Sequence, residues 1–320
     1  MQEYIFKDYV SIVNDEEYLY ILGEKVIRIE NNSLNSRVIN LYKDGTNLEE
    51  VAKLIGNEDV NRLHKIFLNN NLVSQKWRHD FKDTIVEKQL YHFEKHNVDP
   101  SKLQKEITKL RIGIIGAGGL GSIIVQNLIG AGFSNFTIID YDEVQIHNLN
   151  RQYTFNLESI GKLKVDEIKK YINSINTKCK VTTYNLKINT QDDLNFLQDH
   201  DLDLIINAAD QPYNISEIVF DYAMKSSVAF ITGGVGIKGG FWGPLIDSEL
   251  YNRGVRHSTN QLNRKPIKGS MGATNSIIAS LLAYDIIRYF TGEEVYCYGQ
   301  KVFIDLKDLT FRKEKMKELI

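Results

Sequence analysis

The sequence predicts an α/β chain: a Rossmann-like domain with a mostly parallel sheet, preceded by a small winged-helix-like α+β domain. Three observations predict it. Apolar runs at residues 111–115, 136–139 and 204–208 are short and lack in-out alternation, as strands covered on both faces do. A glycine turn, Gly-Ala-Gly-Gly-Leu-Gly at 116–121, joins the first run to a helix-like stretch at 120–130. Ahead of them, residues 1–75 hold three strand-like runs, three helical stretches and one more short strand.

In chain order, the strand-like runs are 4–13, 18–22 and 25–29, with a turn at Gly23-Glu24. Residues 33–42 read as a helix. A second helix starts at Thr46, where Thr-Asn-Leu-Glu forms a capping box with Glu49, and carries Leu48, Val51, Ala52 and Leu54 on its apolar side. A third around 60–68 leads into a strand at 72–74. Residues 76–110 read as a linker and helical lead-in, with Asp99-Pro100 opening a helix. The larger domain is 111–320. It adds strands near 181–186 and 295–298, a helix near 271–290, and a polar stretch at 249–269 with Arg253, Arg256, His257, Arg264 and Lys265 but no packing pattern.

The glycine turn speaks to chemistry. Gly116, Gly118, Gly119 and Gly121 let the backbone turn tightly and approach an anion, beside a helix N-terminus with unpaired N–H groups. The same spacing suits a dinucleotide, with Asp140 where a ribose-binding acid belongs. Hydride transfer and mononucleotide chemistry both fit the turn.

Later residues separate the two. A dehydrogenase holds a pyrophosphate that it does not break, whereas splitting ATP between its α- and β-phosphates needs cations and a metal. Arg151 is a planar fork for phosphate, Lys164 opens a helix as a point charge, and Asp210 follows an apolar strand and can hold Mg²⁺. Asp142, Asn148 and Gln152 complete the polar set at the ends of successive strands, where open α/β sheets bind ligands. A capping role for Asp210 at a helix near Pro212 is the plain alternative.

Gly-Ala-Gly-Gly-Leu-Gly, Ile-Asp-Tyr-Asp-Glu-Val, His-Asn-Leu-Asn-Arg-Gln, Gly-Lys-Leu-Lys-Val and Asn-Ala-Ala-Asp-Gln together resemble the adenylyltransferases related to ubiquitin-activating enzymes, over residues 88–290. That family includes enzymes that adenylate small sulfur-carrier proteins. The resemblance implies that the four glycines cradle the phosphates and that Asp140 binds the ribose. It further implies that Asn148, Arg151 and Lys164 contact phosphates, and that Asp210 binds Mg²⁺. Members work as dimers, with an arginine entering from the partner; Lys88 stands there in this chain and lacks the bidentate fork. Members with a catalytic or zinc-binding cysteine set differ, because only Cys179 and Cys297 are present, so neither a thioester nor zinc is expected.

The stretch Asp-Gly-Thr-Asn-Leu-Glu-Glu-Val-Ala-Lys-Leu-Ile resembles modules that bind leaders of ribosomally made, modified peptides by adding a strand to a sheet edge. With Ala-Asp-Gln-Pro-Tyr-Asn and Gly-Gly-Phe-Trp-Gly-Pro-Leu, the whole chain is similar to the microcin C maturation enzymes of that family. The resemblance implies ATP-dependent adenylation of a precursor-peptide carboxylate. Its alternatives are a non-catalytic, leader-presenting partner of a cyclodehydratase and an adenylyltransferase for a ubiquitin-like sulfur carrier. A crossover loop near 247–270 covers the substrate in the family; here a lid and an ordinary solvated loop both fit.

Composition agrees. A net charge of −2, with residues 1–75 rich in Asp and Glu, disfavours nucleic acid. No apolar run reaches membrane-spanning length, the first residues are punctuated by Glu3, Lys7 and Asp8, and two cysteines make no disulfide framework. A cytoplasmic homodimer is the expectation.

Overall fold

The computed structural model describes residues 2–95, 98–257 and 269–317. The chain divides into two compact units, Met1–Glu106 and Ile107–Ile320. No helix among the described residues is long and apolar enough to cross a membrane.

The first unit runs β1 (Tyr4–Phe6), β2 (Ser11–Asn14), β3 (Tyr18–Leu22), β4 (Val26–Glu30), α1 (Ser33–Asp44), α2 (Leu48–Ile55), α3 (Asn57–Asn69), β5 (Val73–Gln75), α4 (Glu87–Phe93) and α5 (Pro100–Lys109). Strands β2, β3 and β4 form an antiparallel sheet, and β1 pairs with β5. The run predicted at 4–13 is therefore two strands in two sheets. A turn closed by Val10 N–H on the Lys7 carbonyl, 2.9 Å, separates them. Phe6, Ile21, Tyr42, Val51, Phe67 and Leu72 make the core.

The predicted N-cap is displaced by one residue, and no reciprocal box forms there. Thr46 is held extended by paired backbone bonds with Tyr4, 2.7 and 2.9 Å, so Asn47 takes the N-cap and accepts from Glu50 N–H at 3.0 Å. Further on, α4 buries Leu90 and Phe93. The Asp99 side chain caps α5, accepting from Ser101 and Lys102 N–H.

The second unit runs β6 (Arg111–Ile115), α6 (Gly119–Gly130), β7 (Asn135–Ile139), α7 (Lys164–Ile175), β8 (Lys180–Tyr184), β9 (Leu204–Asn207), α8 (Ile215–Lys225), β10 (Ala229–Val235), β11 (Gly239–Ile246), α9 (Ser248–Asn252), α10 (Gly272–Thr291), β12 (Gln300–Asp305) and β13 (Thr310–Lys315). Its sheet has the order β13-β12-β11-β10-β9-β6-β7-β8. The five strands from β10 to β8 are parallel, and β11, β12 and β13 continue antiparallel. Strands β6 and β9 are buried almost throughout, which explains their unbroken apolar runs.

Two expectations fail in this unit. Residues 295–298 form no strand: the Tyr296 and Cys297 N–H groups turn to the buried carboxylate of Asp285, at 3.1 and 3.0 Å, instead of to a neighbouring strand. The polar stretch after β11 is not all loop. Asp247 accepts from Leu250 N–H at 3.1 Å and starts α9, while Leu250, Val255 and His257 are buried. The rest of the expected lid, with Arg264 and Lys265, lies outside the described residues.

Candidate functional site

Strand β6 has β7 on one side and β9 on the other, so the chain connections leave its C-terminal end in opposite directions and open a crevice there. A cavity of about 790 Å³ lies in this crevice. Eleven of the twelve site residues named from the sequence belong to this unit, and all of these but Gly121 line the cavity. Gly121 lies within the first turn of α6.

The turn after β6 is built on contact. Gly116 has φ +95°, and a Cβ there would stand 2.7 Å from the Ala209 nitrogen. A Cβ on Gly121 would lie 1.9 Å from the Gly116 carbonyl oxygen, so this glycine brings α6 against the turn. At Gly119 it would meet Asn275 Oδ1 at 2.3 Å, whereas at Gly118 nothing stands nearer than 3.9 Å. Gly118 thus borders open space. Helix α6 begins without a side-chain cap, which leaves its first N–H groups and positive dipole end for an anion.

Asp140, at the end of β7, holds this turn in place. Its Oδ2 accepts from Ala117 N–H at 2.6 Å and its Oδ1 from Asp142 N–H at 2.7 Å. Burial raises its carboxyl above the usual range, against the opposing pull of Lys164 and these two bonds. Each oxygen retains a lone pair able to accept a ribose hydroxyl.

Lys164 begins α7 and is buried, with its Nζ 2.7 Å from Asp142 Oδ2. Arg151 lies against Gly119 and donates Nη1 to the His147 carbonyl and Asn150 Oδ1 at 2.9 and 2.8 Å, leaving other guanidinium N–H groups for the cavity. Asn148 spends its Oδ1 on Gln145 N–H at 2.9 Å, which leaves its amide nitrogen as the group for a ligand. Gln152 is buried, and its Oε1 meets no partner among the described residues.

Asp210 does not cap α8; Asn214 takes that position. Asp210 is exposed, lines the cavity and has no partner among the described residues. Burial and the charges of Asp142, Asp140 and Asp210 raise the Tyr141 hydroxyl above its usual value, so three carboxylates share one neighbourhood. Mg²⁺ is usually held by one or two carboxylates with phosphates and water completing its shell. Asp210 fits that pattern. Among the described residues no group of three or more His, Cys, Asp or Glu side chains is placed to hold a metal ion by itself.

Four further contributors come from elsewhere in the chain. Asn275 at the start of α10 packs on Gly119 and donates to Ser270 Oγ and the Met271 carbonyl, at 2.9 and 2.8 Å. Ser216, His257 and Lys301 line the cavity from α8, the segment after α9, and β12. Lys88 belongs to the first unit, on α4, with an 89% exposed side chain 3.6 Å from Glu87.

The ThiF family model matches residues 90–319. Over 220 residues the chain is 24% identical to an adenylyltransferase and sulfurtransferase MOCS3 from Aedes aegypti, covering 67% of this chain and 49% of that protein. A sulfur carrier protein adenylyltransferase from Thermus thermophilus is 23% identical over 219 residues, covering 66% of this chain and 80% of its own length. The chain thus spans about half the length of the first of these relatives. Structures of E. coli MccB, one with ATP and one with AMPCPP and MccA, match at TM-scores of 0.79 and 0.80. Both are 20% identical and cover 99% of this chain and 97% and 98% of theirs.

Proposed function

The chain belongs to the ThiF family, and on that premise we propose that it adenylates a carboxylate on a ribosomally made precursor peptide. The observation that carries the ATP half is the joining of an uncapped α6 N-terminus with Arg151 beside it and an unpartnered Asp210 in one cavity. That arrangement suits a nucleotide whose phosphates are broken apart, not merely held. The peptide half rests on the likeness to MccB, which extends over 99% of the chain, first unit included, and has a form crystallised with MccA.

In the proposed reaction the glycine turn and α6 receive the phosphates, Arg151 and Lys164 meet their charge, and Asp140 accepts from the ribose. A carboxylate oxygen bonds to the α-phosphorus as the α–β phosphate bond breaks, and pyrophosphate leaves with the electron pair. Orientation does most of the work, since no protein nucleophile takes part. Mg²⁺, held by Asp210, would supply charge neutralisation at the phosphate oxygens. The first unit holds the peptide leader, and Lys88 acts from the partner subunit of a homodimer.

The test is pyrophosphate exchange into ATP, with the protein alone and with peptides encoded beside its gene. Exchange that needs a leader-bearing peptide and vanishes in Asp210→Ala supports the reading; exchange that survives in Asp210→Ala sinks it. The matches to MOCS3 and to the Thermus enzyme favour a second reading, in which the substrate is a sulfur-carrier protein. Deletion of residues 1–75 with exchange undiminished would select it.

A further inference from the structure

Resting on the adenylation reading, we propose that the cavity contains a separate anion subsite in which Ser216 and Lys301 seat the substrate carboxylate before it is adenylated. Both residues come from elements that the phosphate end does not use, α8 and β12, yet they line the same cavity.

The hydroxyl comes first. Ser216 Oγ lies 2.8 Å from His257 Nε2, a contact that either atom could donate. The other ring nitrogen decides. His257 is only 6% exposed, and its Nδ1 meets no partner among the described residues. A buried N–H without an acceptor is rarer than a buried lone pair without a donor, so the proton belongs on Nε2. His257 then donates to Ser216, and the serine O–H is left to donate into the cavity. Burial, and secondarily the charge of Lys301, drives the imidazole down to about 3, so this tautomeric arrangement persists at neutral pH.

The cation comes second. Lys301 lies near enough to His257 to act on it electrostatically, and its Nζ is 5.6 Å from the centre of the Phe241 ring. Burial lowers its ammonium below the usual lysine value, while Glu314 and Glu217 pull it back up. With Glu314 and Glu217 already acting on it, the half-buried Lys301 accommodates a group of one negative charge better than the several of a phosphate chain. Helix α8, 11 residues long, begins beside Ser216 without a side-chain cap and adds its positive end. A carboxylate, with one charge and two acceptor oxygens, meets Ser216 with one oxygen and Lys301 with the other.

The experiment fills the phosphate end with AMP and titrates acetate, or its neutral isostere acetamide, at constant ionic strength, reading the His257 ring signals by NMR. Saturable binding of acetate, with none of acetamide, is expected. Lys301→Met should weaken acetate about tenfold or more and Ser216→Ala about threefold, with Lys301→Arg near wild type and AMP affinity unchanged throughout. Acetate and acetamide acting alike, or Lys301→Met binding acetate as wild type does, overturns the subsite. A parallel loss of AMP affinity in Lys301→Met also overturns it, by placing Lys301 at the phosphates. Should Lys301→Met fail to fold, Ser216→Ala and Lys301→Arg decide on the same readings. A wild-type protein that binds neither AMP nor ATP removes the adenylation reading itself, and the subsite with it.

Discussion

Asp142 holds Lys164 in place: the ammonium sits 2.7 Å from a carboxylate that is 48% exposed, while the lysine side chain is only 7% exposed. The Asp142 carbonyl also accepts the Lys164 N–H at 3.0 Å. The pair joins the loop after β7 to the start of α7, so the position of the cation depends on the acid beside it.

Asp142→Asn should therefore weaken ATP binding by roughly three- to tenfold without unfolding the chain, because the ion pair that fixes the ammonium becomes a weaker bond to a neutral amide. Lys164→Met should lose more, on the order of tenfold or above, since the positive charge itself is gone. Calorimetric titration with ATP checks both; equal affinities in wild type and Lys164→Met would remove the lysine from the site.

The glycines separate stability from binding. Gly121→Ala places a methyl 1.9 Å from the Gly116 carbonyl and should destabilise by about 1–3 kcal/mol, read as a fall in the urea midpoint. Gly118→Ala meets nothing nearer than 3.9 Å, so its midpoint should stay close to wild type while ATP affinity drops. Unchanged affinity in Gly118→Ala would show that no anion comes near that position.

His257 supplies a pH signature. Its folded value, about 3, lies below the unfolded 6.5, so between these values the unfolded chain binds a proton that the folded chain refuses. Stability contributed by the neutral imidazole is present above about pH 6.5 and is lost as pH falls, by up to about 1.4 kcal/mol per unit. Urea unfolding at pH 7, 6 and 5 should give a slope that is flatter in His257→Gln; parallel slopes would mean the imidazole titrates normally.

Lys88 offers the simplest contrast. With an 89% exposed side chain and long approaches to Glu87, 3.6 Å, and to the Tyr91 ring centre, 6.0 Å, its loss should leave stability within about 0.5 kcal/mol, read from the urea midpoint. If it enters the site of a partner subunit, Lys88→Ala should still reduce pyrophosphate exchange. Mixing Lys88→Ala with Asp210→Ala protein would then restore part of it, and absence of restoration argues against action across a dimer.

The glycine-turn end of the cavity was legible in the sequence because its groups follow one another along the chain. Gly116 to Asp210 all follow the ends of β6, β7 and β9, on the loops there or at the starts of α6 and α7, and the family they indicate is the one whose model matches. Asn275, Ser216 and Lys301 were not legible. They reach the cavity through α10, α8 and β12, and no local spacing marks a residue whose neighbours are set by sheet order. The same limit explains the misplaced N-cap, since Thr46 looks like a helix cap until Tyr4 pairs with it. It also explains residues 295–298, whose N–H groups find Asp285 on α10.

Gly116 and Ala209 touch through their backbones, and Asp210 is the next residue along. The cradle and the exposed carboxylate are thus parts of one block, welded where two parallel strands end. A machine built this way needs no closing stroke to bring those two parts to bear on a nucleotide.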